Sequence, residues 1–334
     1  MLAYRLHKQA PINASSLTRE EIADPEPQAG QILIKVLACG ACHTDLHIVE
    51  GELPLQQKPV VPGHQVVGEV VGLGQGASRF TVGERVGLAW LAHTCGRCRF
   101  CMSGRENLCQ NALFTGYDID GGFAQLVVAY EEFAYRIPQG FEPAGVSPLL
   151  CGGIIGYRAL RISGIKPGGR LGLYGFGNSA HIAIQVAVHW GCEVYVFSRT
   201  DAHRKLAGEL GAVWTGKTEE AKPAMLDSAI IFAPAGELIP PAMEALDKGG
   251  KLALAGIYMS PTPPLDYERH LYHEKSIQSV ANSERRDGEE LLALAEEIPI
   301  KTEVEEYPLA EVNEVLMRLK EGKVQGGAVL MVGG

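Results

Sequence analysis

A glycine-rich turn between a short apolar strand and a helical stretch constrains the fold of this chain most strongly. The turn has the pattern Gly175-x-Gly177-x-x-Ala180 and follows a strand predicted over Arg170–Tyr174. In such a turn the first glycine allows a tight reversal, the second lets a pyrophosphate approach the helix N-terminus, and the alanine permits close packing of helix on strand. A second strand, Glu193–Phe197, is predicted about twenty residues later. We therefore interpret the segment as a βαβ unit that binds a dinucleotide.

The end of the second strand indicates which dinucleotide is bound. A carboxylate there would bind the 2′-hydroxyl of NAD, but this chain has Ser198 and Arg199 instead. A hydroxyl and a guanidinium bind a 2′-phosphate, which a carboxylate repels. We therefore predict a preference for NADP(H) over NAD(H). Asp201 keeps NAD(H) as the alternative, because its carboxylate is close enough in sequence to reach a ribose.

Strands and helices alternate through the second half of the chain, whereas the first half is a series of short β-runs separated by glycine and proline. The length of 334 residues is enough for about two domains, and 46% hydrophobic residues are typical of a globular protein. We predict an irregular, mostly β domain over residues 1–150 and a doubly wound parallel α/β sheet over 151–298. Residues 299–334 are predicted to return to the first domain.

Four cysteines form a compact cluster with the spacing Cys-x2-Cys-x2-Cys-x7-Cys. They are Cys95, Cys98, Cys101 and Cys109. Four thiolates on one loop can close a tetrahedral shell around Zn²⁺, which leaves no position for a substrate and predicts a structural role. Bacterial iron–sulfur runs have a shorter last gap followed by proline, whereas Gln110 follows here. A zinc ribbon that binds nucleic acid is disfavoured by the formal net charge of −9.

A second candidate metal site combines residues that are distant in sequence. Cys39 and Cys42 form another Cys-x2-Cys pair, for which a thioredoxin-like redox pair is the alternative. His64 lies in an apolar stretch, and Cys151 lies at the predicted junction of the two domains. Taken one at a time, a buried cysteine or a histidine in an apolar stretch is more often a packed core residue than a metal ligand. Together, two thiolates and an imidazole leave a fourth position open, which is the pattern of a catalytic zinc site.

Five motifs, in this order and at this spacing, resemble the zinc-dependent alcohol dehydrogenases of the medium-chain dehydrogenase/reductase superfamily. They are GACHTDLH, PGHQVVG, CGRCRFCMSGRENLC, DGGFA and CGGIIGYRAL, and the resemblance covers essentially the whole chain. It implies a GroES-like catalytic domain together with a Rossmann domain. It also implies a catalytic zinc ligated by Cys42, His64 and Cys151, with Cys39 as a bystander.

The resemblance assigns roles to the residues around that zinc. Thr44 would take the proton of the alcohol, His47 would end the proton relay, and Asp45 would orient the ligand histidine. His43 would place a cation near the pyrophosphate. Gln65 departs from the family, which usually has Glu directly after the ligand histidine. The missing negative charge predicts a more electrophilic zinc.

Three apolar residues are candidates for the substrate pocket. The resemblance places Trp90 as an aromatic wall beside the zinc. Ile154 and Ile155 follow Cys151, and Ile155 replaces a residue that is often Thr in this family. A bulky indole and two branched side chains would form a narrow apolar slot, which favours unbranched or benzylic primary alcohols and their aldehydes.

The sequence therefore predicts an enzyme with two zinc ions per chain that interconverts primary alcohols and aldehydes by hydride transfer to or from NAD(P). A zinc-independent NADPH quinone or enoyl reductase and a non-catalytic zinc-binding regulatory protein are the alternatives. The acidic charge and the lack of a long apolar run disfavour nucleic acid and membranes as partners. We expect a cytoplasmic protein that acts on small molecules, and the resemblance suggests a homodimer or homotetramer.

Overall fold

The computed structural model describes residues 1–137, 140–220 and 224–333, and the chain forms two compact units. Unit 1 comprises Met1–Cys151, Asn282–Ala293 and the segment from Lys301 onward. Unit 2 comprises Gly152–Ala281 and Leu294–Ile300. The three candidate ligands of the open metal site thus all belong to unit 1.

The strands and helices are numbered in chain order. The strands are β1 (Leu2–Arg5), β2 (Thr18–Glu21), β3 (Gln31–Ala41), β4 (Gln65–Leu73), β5 (Arg85–Leu88), β6 (Leu91–His93), β7 (Leu113–Phe114), β8 (Leu126–Tyr130), β9 (Ala134–Arg136), β10 (Arg170–Tyr174), β11 (Glu193–Phe197), β12 (Trp214–Gly216), β13 (Leu226–Ile231), β14 (Leu246–Leu254), β15 (Ser276–Ser279), β16 (Val304–Pro308) and β17 (Gly327–Met331). The helices are α1 (His43–Glu50), α2 (Arg99–Met102), α3 (Pro143–Val146), α4 (Gly152–Ser163), α5 (Asn178–His189), α6 (Asp201–Glu209), α7 (Ile239–Ala245), α8 (Tyr267–His270), α9 (Arg285–Glu297) and α10 (Val312–Lys320).

Unit 1 is built on a sheet with the strand order β16-β17-β3-β4-β5-β9, in which β8 also pairs with β3. Its central pair is antiparallel, with Cys39 opposite Val66 and Gly40 opposite Gln65. This register brings the end of β3 beside the start of β4, because antiparallel strands run in opposite directions. The last strand, β17, pairs with β3, so the C-terminal part of the chain completes this sheet.

Unit 2 contains a six-stranded sheet with the order β12-β11-β10-β13-β14-β15, and every pairing in it is parallel. The predicted doubly wound parallel sheet is therefore confirmed. The chain moves outward from β10 through β11 to β12 and then returns to β13 on the other side of β10. The carboxyl ends of β10 and β13 flank this switch point, which is where open α/β sheets bind their ligands.

The segment Asn282–Ala293 packs with unit 1, whereas the sequence analysis placed it in the dinucleotide-binding part of the chain. The attachment is polar and aromatic. The guanidinium of Arg285 donates to Glu106 from Nε at 3.0 Å and from Nη2 at 2.7 Å, and it lies 4.5 Å from the ring centroid of Phe133. Gly288 lies against Tyr135, whose ring carbons would come within 2.6 Å of an added Cβ. Helix α9 can approach unit 1 this closely only because a glycine is present there.

Candidate active site and metal centres

The residues of the motif GACHTDLH are placed by the start of helix α1. Cys42 is the N-cap of this helix, with an extended backbone at φ −143° and ψ −177°, and its Sγ accepts from the Thr44 amide at 3.4 Å. Asp45 reaches back, and its Oδ2 accepts from the Cys42 amide at 2.9 Å. This reciprocal pair is a capping box, which satisfies two backbone donors that a helix start leaves unpaired. The cap fixes the direction in which the Cys42 sulfur points.

The side chains of Cys42, His64 and Cys151 converge. The Cys42 Sγ lies 3.6 Å from His64 Nε2 and 4.0 Å from Cys151 Sγ, and His64 Nε2 lies 3.4 Å from Cys151 Sγ. With Zn–S bonds of about 2.3 Å and Zn–N bonds of about 2.0 Å, tetrahedral ligand atoms are separated by about 3.5–3.8 Å. The three donors therefore fit one zinc ion with a fourth position left for another ligand.

Three features of unit 1 bring these three residues together. The β3–β4 pairing sets His64, just before β4, beside Cys42, just after β3. Gly63 has φ +96°, and a Cβ there would come within 2.5 Å of Phe123, so only glycine allows this turn into β4. The Ser147 hydroxyl donates to the Gln65 carbonyl at 2.5 Å and ties the turn before Cys151 to the same strand start.

Asp45 supplies a buried negative charge behind His64, one of the three candidate ligands. Its Oδ1 lies 3.4 Å from His64 Nδ1 and accepts from the Gly63 amide at 3.3 Å. Burial raises the pKa of the Asp45 carboxyl. Burial opposes protonation of His64, but the negative charges of Asp45 and Cys42 outweigh it and raise the pKa of His64 to about 10.

The four-cysteine loop closes on itself in the way its spacing predicts. The sulfur of Cys98 lies 3.5 Å from that of Cys101, and the sulfur of Cys109 lies 3.5 Å from that of Cys95. All four sulfurs lie within 4.8 Å of one another. Hydrogen bonds from the backbone amides of the loop lower the pKa of Cys95 to about 6, and burial raises the pKa of Cys101 to about 11. A closed set of four sulfurs fits a structural zinc ion.

Thr44 and His47 lie one helical turn apart on α1 and therefore face the same side. Both are partly exposed, and His43 is exposed at the first helical position. Nδ1 of His47 makes a short hydrogen bond with Oε2 of Glu52. The sequence analysis did not single out Glu52, because no local pattern connects a loop carboxylate with a helix side chain.

Trp90 lies beside His64, one of the candidate metal ligands. Its ring meets the His64 ring edge to face, with centroids 5.2 Å apart and planes at 80°. Phe114 stacks on Trp90 at 5.1 Å, and Tyr117 at 5.8 Å. Sequence reasoning did not identify these two rings, since Phe114 on β7 and Tyr117 just after it are distant from Trp90 in the chain and only tertiary folding brings them to it.

Two further pocket candidates, Ile154 and Ile155, belong to unit 2. Both lie on helix α4, where Ile154 is buried and Ile155 is partly exposed.

The side chain of Gln65 is buried next to Gly40, where an added Cβ would lie 2.5 Å from Gln65 Oε1. A neutral side chain therefore occupies a closely packed position directly after the ligand histidine.

The glycine-rich turn has the geometry that its sequence predicts. Gly175 has φ +84°, and an added Cβ would lie 2.9 Å from the Ala233 amide nitrogen, so only glycine fits. Gly177 is the N-cap of α5, and an added Cβ there would meet no described atom within 4 Å. Ala180 is fully buried against the sheet. Open space at the helix N-terminus is what an approaching pyrophosphate requires.

At the end of β11, Arg204 of helix α6 makes contacts that the sequence did not predict. Ser198 is buried, and its carbonyl accepts from Arg204 Nη1 at 2.6 Å. Nη2 of the same guanidinium pairs with Asp201. Arg199 is exposed. The carboxylate that offered the alternative prediction of NAD(H) is thus engaged by an arginine of its own helix.

Comparisons with known proteins agree with this architecture. The family model described as the alcohol dehydrogenase GroES-like domain matches residues 28–139, and the model described as zinc-binding dehydrogenase matches residues 180–297. A probable alcohol dehydrogenase, AdhA, of Mycobacterium tuberculosis is 44% identical over 337 residues, covering 99% of this chain and 97% of the relative. An alcohol dehydrogenase of Geobacillus stearothermophilus is 36% identical over 324 residues, covering 94% and 95% of the two chains.

A solved structure supports the same relationship. A cinnamyl alcohol dehydrogenase from Sorghum bicolor superimposes with a TM-score of 0.89 at 29% identity, covering 100% of this chain and 98% of that one. The chain belongs to the zinc-binding alcohol dehydrogenase family. It is an oxidoreductase with a GroES-like and a Rossmann domain, and its cofactors are zinc and a nicotinamide dinucleotide. Among the described residues, no helix is both long and apolar enough to cross a membrane.

Proposed function

We propose that this alcohol dehydrogenase interconverts primary alcohols and their aldehydes, with two zinc ions per chain and with NADP(H) favoured over NAD(H). The observation that carries the proposal is the convergence of Cys42, His64 and Cys151, whose three donor atoms leave one position of a tetrahedral zinc for another ligand. A zinc-independent reductase has no use for this set. A non-catalytic zinc protein has no need of an open coordination position next to a helix that carries Thr44 and His47.

The two donor sets have separate tasks. Cys42, His64 and Cys151 would hold the catalytic zinc, and the four sulfurs of the Cys95–Cys109 loop would hold the structural one. A zinc ion bound at the open site supplies a Lewis acid that polarises the oxygen of the alcohol or aldehyde. Asp45 positions the imidazole of His64, so that Nε2 faces the two sulfurs.

Proton transfer is assigned to the exposed side of helix α1. The Thr44 hydroxyl would take the proton from the alcohol, and His47 would exchange it with solvent. The His47 side chain is 22% exposed, which allows that exchange. His43, exposed at the first turn, would contribute positive charge near the pyrophosphate.

Two sets of residues would determine which cofactor and which substrate are bound. Ser198 and Arg199 would bind the 2′-phosphate of NADP(H), and the pairing of Asp201 with Arg204 supports this proposal. Trp90, with its two stacked neighbours, would present a flat apolar wall to the substrate. Ile154 and Ile155 remain proposed members of the pocket. Apolar, planar walls favour unbranched or benzylic chains over polyols.

Cytoplasmic location and assembly as a homodimer or homotetramer also remain proposals from the sequence. Small alcohols and aldehydes are the proposed partners.

The test combines metal counting with initial rates. Zinc per chain is measured by elemental analysis, and aldehyde reduction is followed with NADPH and NADH before and after treatment with a chelator. We expect two zinc ions, turnover that disappears with the metal and returns on readdition, and a higher kcat/KM with NADPH. Turnover unaffected by loss of zinc would instead indicate the zinc-independent reductase.

A matched pair of variants separates a ligand from its neighbour. Cys42→Ala should lose one zinc ion and reduce kcat by more than about a hundredfold, because even outer partners of metal ligands contribute 10–100-fold. Cys39→Ala removes a thiol from the same Cys-x2-Cys pair, but this thiol is not part of the converging set. It should retain both zinc ions and most of the activity. The reverse pattern would contradict the proposed ligand set.

A further inference from the structure

Helix α1 ends in a turn that directs the following loop back along the helix. Gly51 has φ +91° and donates its amide to the His47 carbonyl at 3.1 Å. The Leu53 amide donates to the same carbonyl at 3.2 Å. Glycine is the residue that adopts this left-handed conformation without strain. Glu52, between these two residues, is thereby held next to the backbone of His47.

The loop that carries Glu52 is fixed by side chains from two other parts of unit 1. Gln9 Nε2 donates to the carbonyls of Ile48 at 2.7 Å and of Leu53 at 2.6 Å. The Tyr117 hydroxyl donates to the Pro54 carbonyl at 2.7 Å. These bonds hold the backbone on both sides of the turn. The carboxylate of Glu52 therefore approaches His47 from a constrained backbone, although its own side chain is 51% exposed.

A second carboxylate lies at the end of the same helix, but it has other partners. Glu50 Oε1 accepts from Lys320 Nζ at 2.6 Å and from the Ile12 amide at 2.9 Å. Lys320 belongs to α10 and Ile12 to the N-terminal segment, so Glu50 ties three parts of unit 1 together. Glu52, by contrast, forms a hydrogen bond with Nδ1 of the His47 ring.

We propose that Glu52 is a positioning residue for the proton relay, and that it acts by holding the proton of His47 on Nδ1. This inference rests on the proposed role of His47. An imidazole whose Nδ1–H donates to a carboxylate has Nε2 as its only proton-accepting atom. Orientation of a histidine base by a carboxylate on its other nitrogen is an established way of fixing tautomer and ring direction.

The proton balance of this arrangement is simple. During alcohol oxidation the proton arriving from the Thr44 side binds to Nε2, while the Nδ1–H bond to Glu52 remains intact. The ring then carries a positive charge opposite a carboxylate, and it returns to neutrality when Nε2 gives the proton to solvent. During aldehyde reduction the same atoms act in the reverse order. Glu52 neither gains nor loses a proton in either direction.

The test uses three substitutions at Glu52 in the zinc-loaded enzyme. Glu52→Ala removes the acceptor and should lower kcat about tenfold, with KM for the alcohol changing by less than about twofold, because an oriented general base acts on turnover more than on binding. Glu52→Gln keeps the shape without the charge and should give a smaller loss of kcat. Glu52→Asp keeps the carboxylate and should recover most of the wild-type kcat. Melting temperatures measured in parallel identify any variant that fails to fold.

A matched control and a spectroscopic measurement make the outcome specific. Glu50→Gln removes an equal charge from the same helix end without touching the His47 ring, and its kcat should stay near that of the wild type. Nitrogen-15 NMR of the histidine rings, with His47→Gln to assign the signals, should show His47 protonated on Nδ1 in the wild type. The Nδ1-protonated fraction should fall in Glu52→Ala.

The outcomes distinguish this inference from the proposed function itself. If His47→Gln lowers kcat but Glu52→Ala does not, the relay stands and the role of Glu52 is wrong. If His47→Gln is fully active, the relay assignment fails and the proposal for Glu52 fails with it, while the zinc dependence of the enzyme is unaffected. Equal losses in Glu50→Gln and Glu52→Gln would show that charge near the helix end matters and that the contact with the ring does not.

Discussion

Asp45→Asn removes one negative charge from the centre of the site while leaving the side-chain shape unchanged. In the wild type, one carboxylate oxygen accepts from the Cys42 amide at 2.9 Å. The other accepts from the Gly63 amide at 3.3 Å and lies 3.4 Å from His64 Nδ1. Asparagine has a single acceptor oxygen, so its NH2 group would have to face one of these N–H donors. One side of the arrangement therefore changes from attractive to repulsive.

The expected magnitudes follow from these contacts. Loss of one hydrogen bond to a charged group costs about 1.5–3 kcal/mol. Part of this is offset because burial already disfavours the ionised carboxylate and raises its pKa, and the neutral amide avoids that cost. We expect the free energy of unfolding of the metal-free protein to fall by about 1–2 kcal/mol. We expect zinc affinity at the open site to fall 10–100-fold, which corresponds to about 1.4–2.7 kcal/mol.

The assay is competition between the protein and a chelator of known zinc affinity, followed by elemental analysis and by measurement of kcat on the reloaded enzyme. The four-cysteine site serves as an internal reference, because its zinc should be retained at the same chelator concentration. Asp266→Asn is the matched control. Asp266 also caps a helix by accepting from a backbone amide, that of Arg269 at 2.8 Å, but it is the N-cap of α8 in unit 2. Unchanged zinc affinity in Asp45→Asn would refute the orienting role of Asp45.

Three further predictions test other parts of the chain. Cys98→Ser should lose one zinc ion and lower the melting temperature, while the kcat of the protein that remains folded changes little. Loss of the catalytic zinc instead would contradict the assignment of a structural zinc to the four-cysteine loop. Arg199→Asp should move the ratio of kcat/KM values toward NADH by at least about tenfold, and an unchanged ratio would exclude Arg199 from the phosphate site. Burial raises the pKa of Glu106, but its bonds with Arg285 outweigh this and lower it below 4.5, so this pair stabilises the fold above that pH and the stabilisation is lost on acidification. Glu106→Gln should therefore lower stability at pH 7 by about 1 kcal/mol and flatten its dependence on pH below about 5, as measured by denaturant unfolding at several pH values.

The parts of the molecule that the sequence predicts best are those in which chemistry fixes both residue type and spacing. The parallel sheet of unit 2 follows from alternating strands and helices. The turn at Gly175 follows from the Gly-x-Gly-x-x-Ala pattern, because its left-handed φ of +84° is one that glycine adopts readily. The four-cysteine loop is equally local, since its sulfurs lie within a span of fifteen residues. In each case the sequence itself contains the constraint, and no distant partner is needed to recognise it.

The parts that sequence reasoning missed depend on partners supplied by tertiary folding. Phe114 reaches Trp90 from strand β7, and Arg204 reaches back to the end of β11 from within α6. The segment Asn282–Ala293 joins unit 1 through Arg285 and its partner Glu106, which are 179 residues apart. A salt bridge between two charged residues that are so far apart in the chain produces no periodic pattern and no motif in the sequence. Only the folded chain shows which of the many charged residues are paired.

Helix α1 connects the proposed metal centre to the proposed proton relay, so a change at the start of the helix should affect both. Within eight residues it begins on the sulfur of Cys42, carries Asp45 behind His64, and presents Thr44 and His47 on one side. Its cap makes a ligand sulfur and a helix N-terminus interdependent, because the Cys42 Sγ accepts from the Thr44 amide. A substitution that weakens the cap therefore displaces the ligand and the relay hydroxyl together. We expect variants at Asp45 to lower both zinc affinity and kcat of the reloaded enzyme, whereas variants at Glu52, beyond the far end of the helix, should lower kcat and leave zinc affinity unchanged.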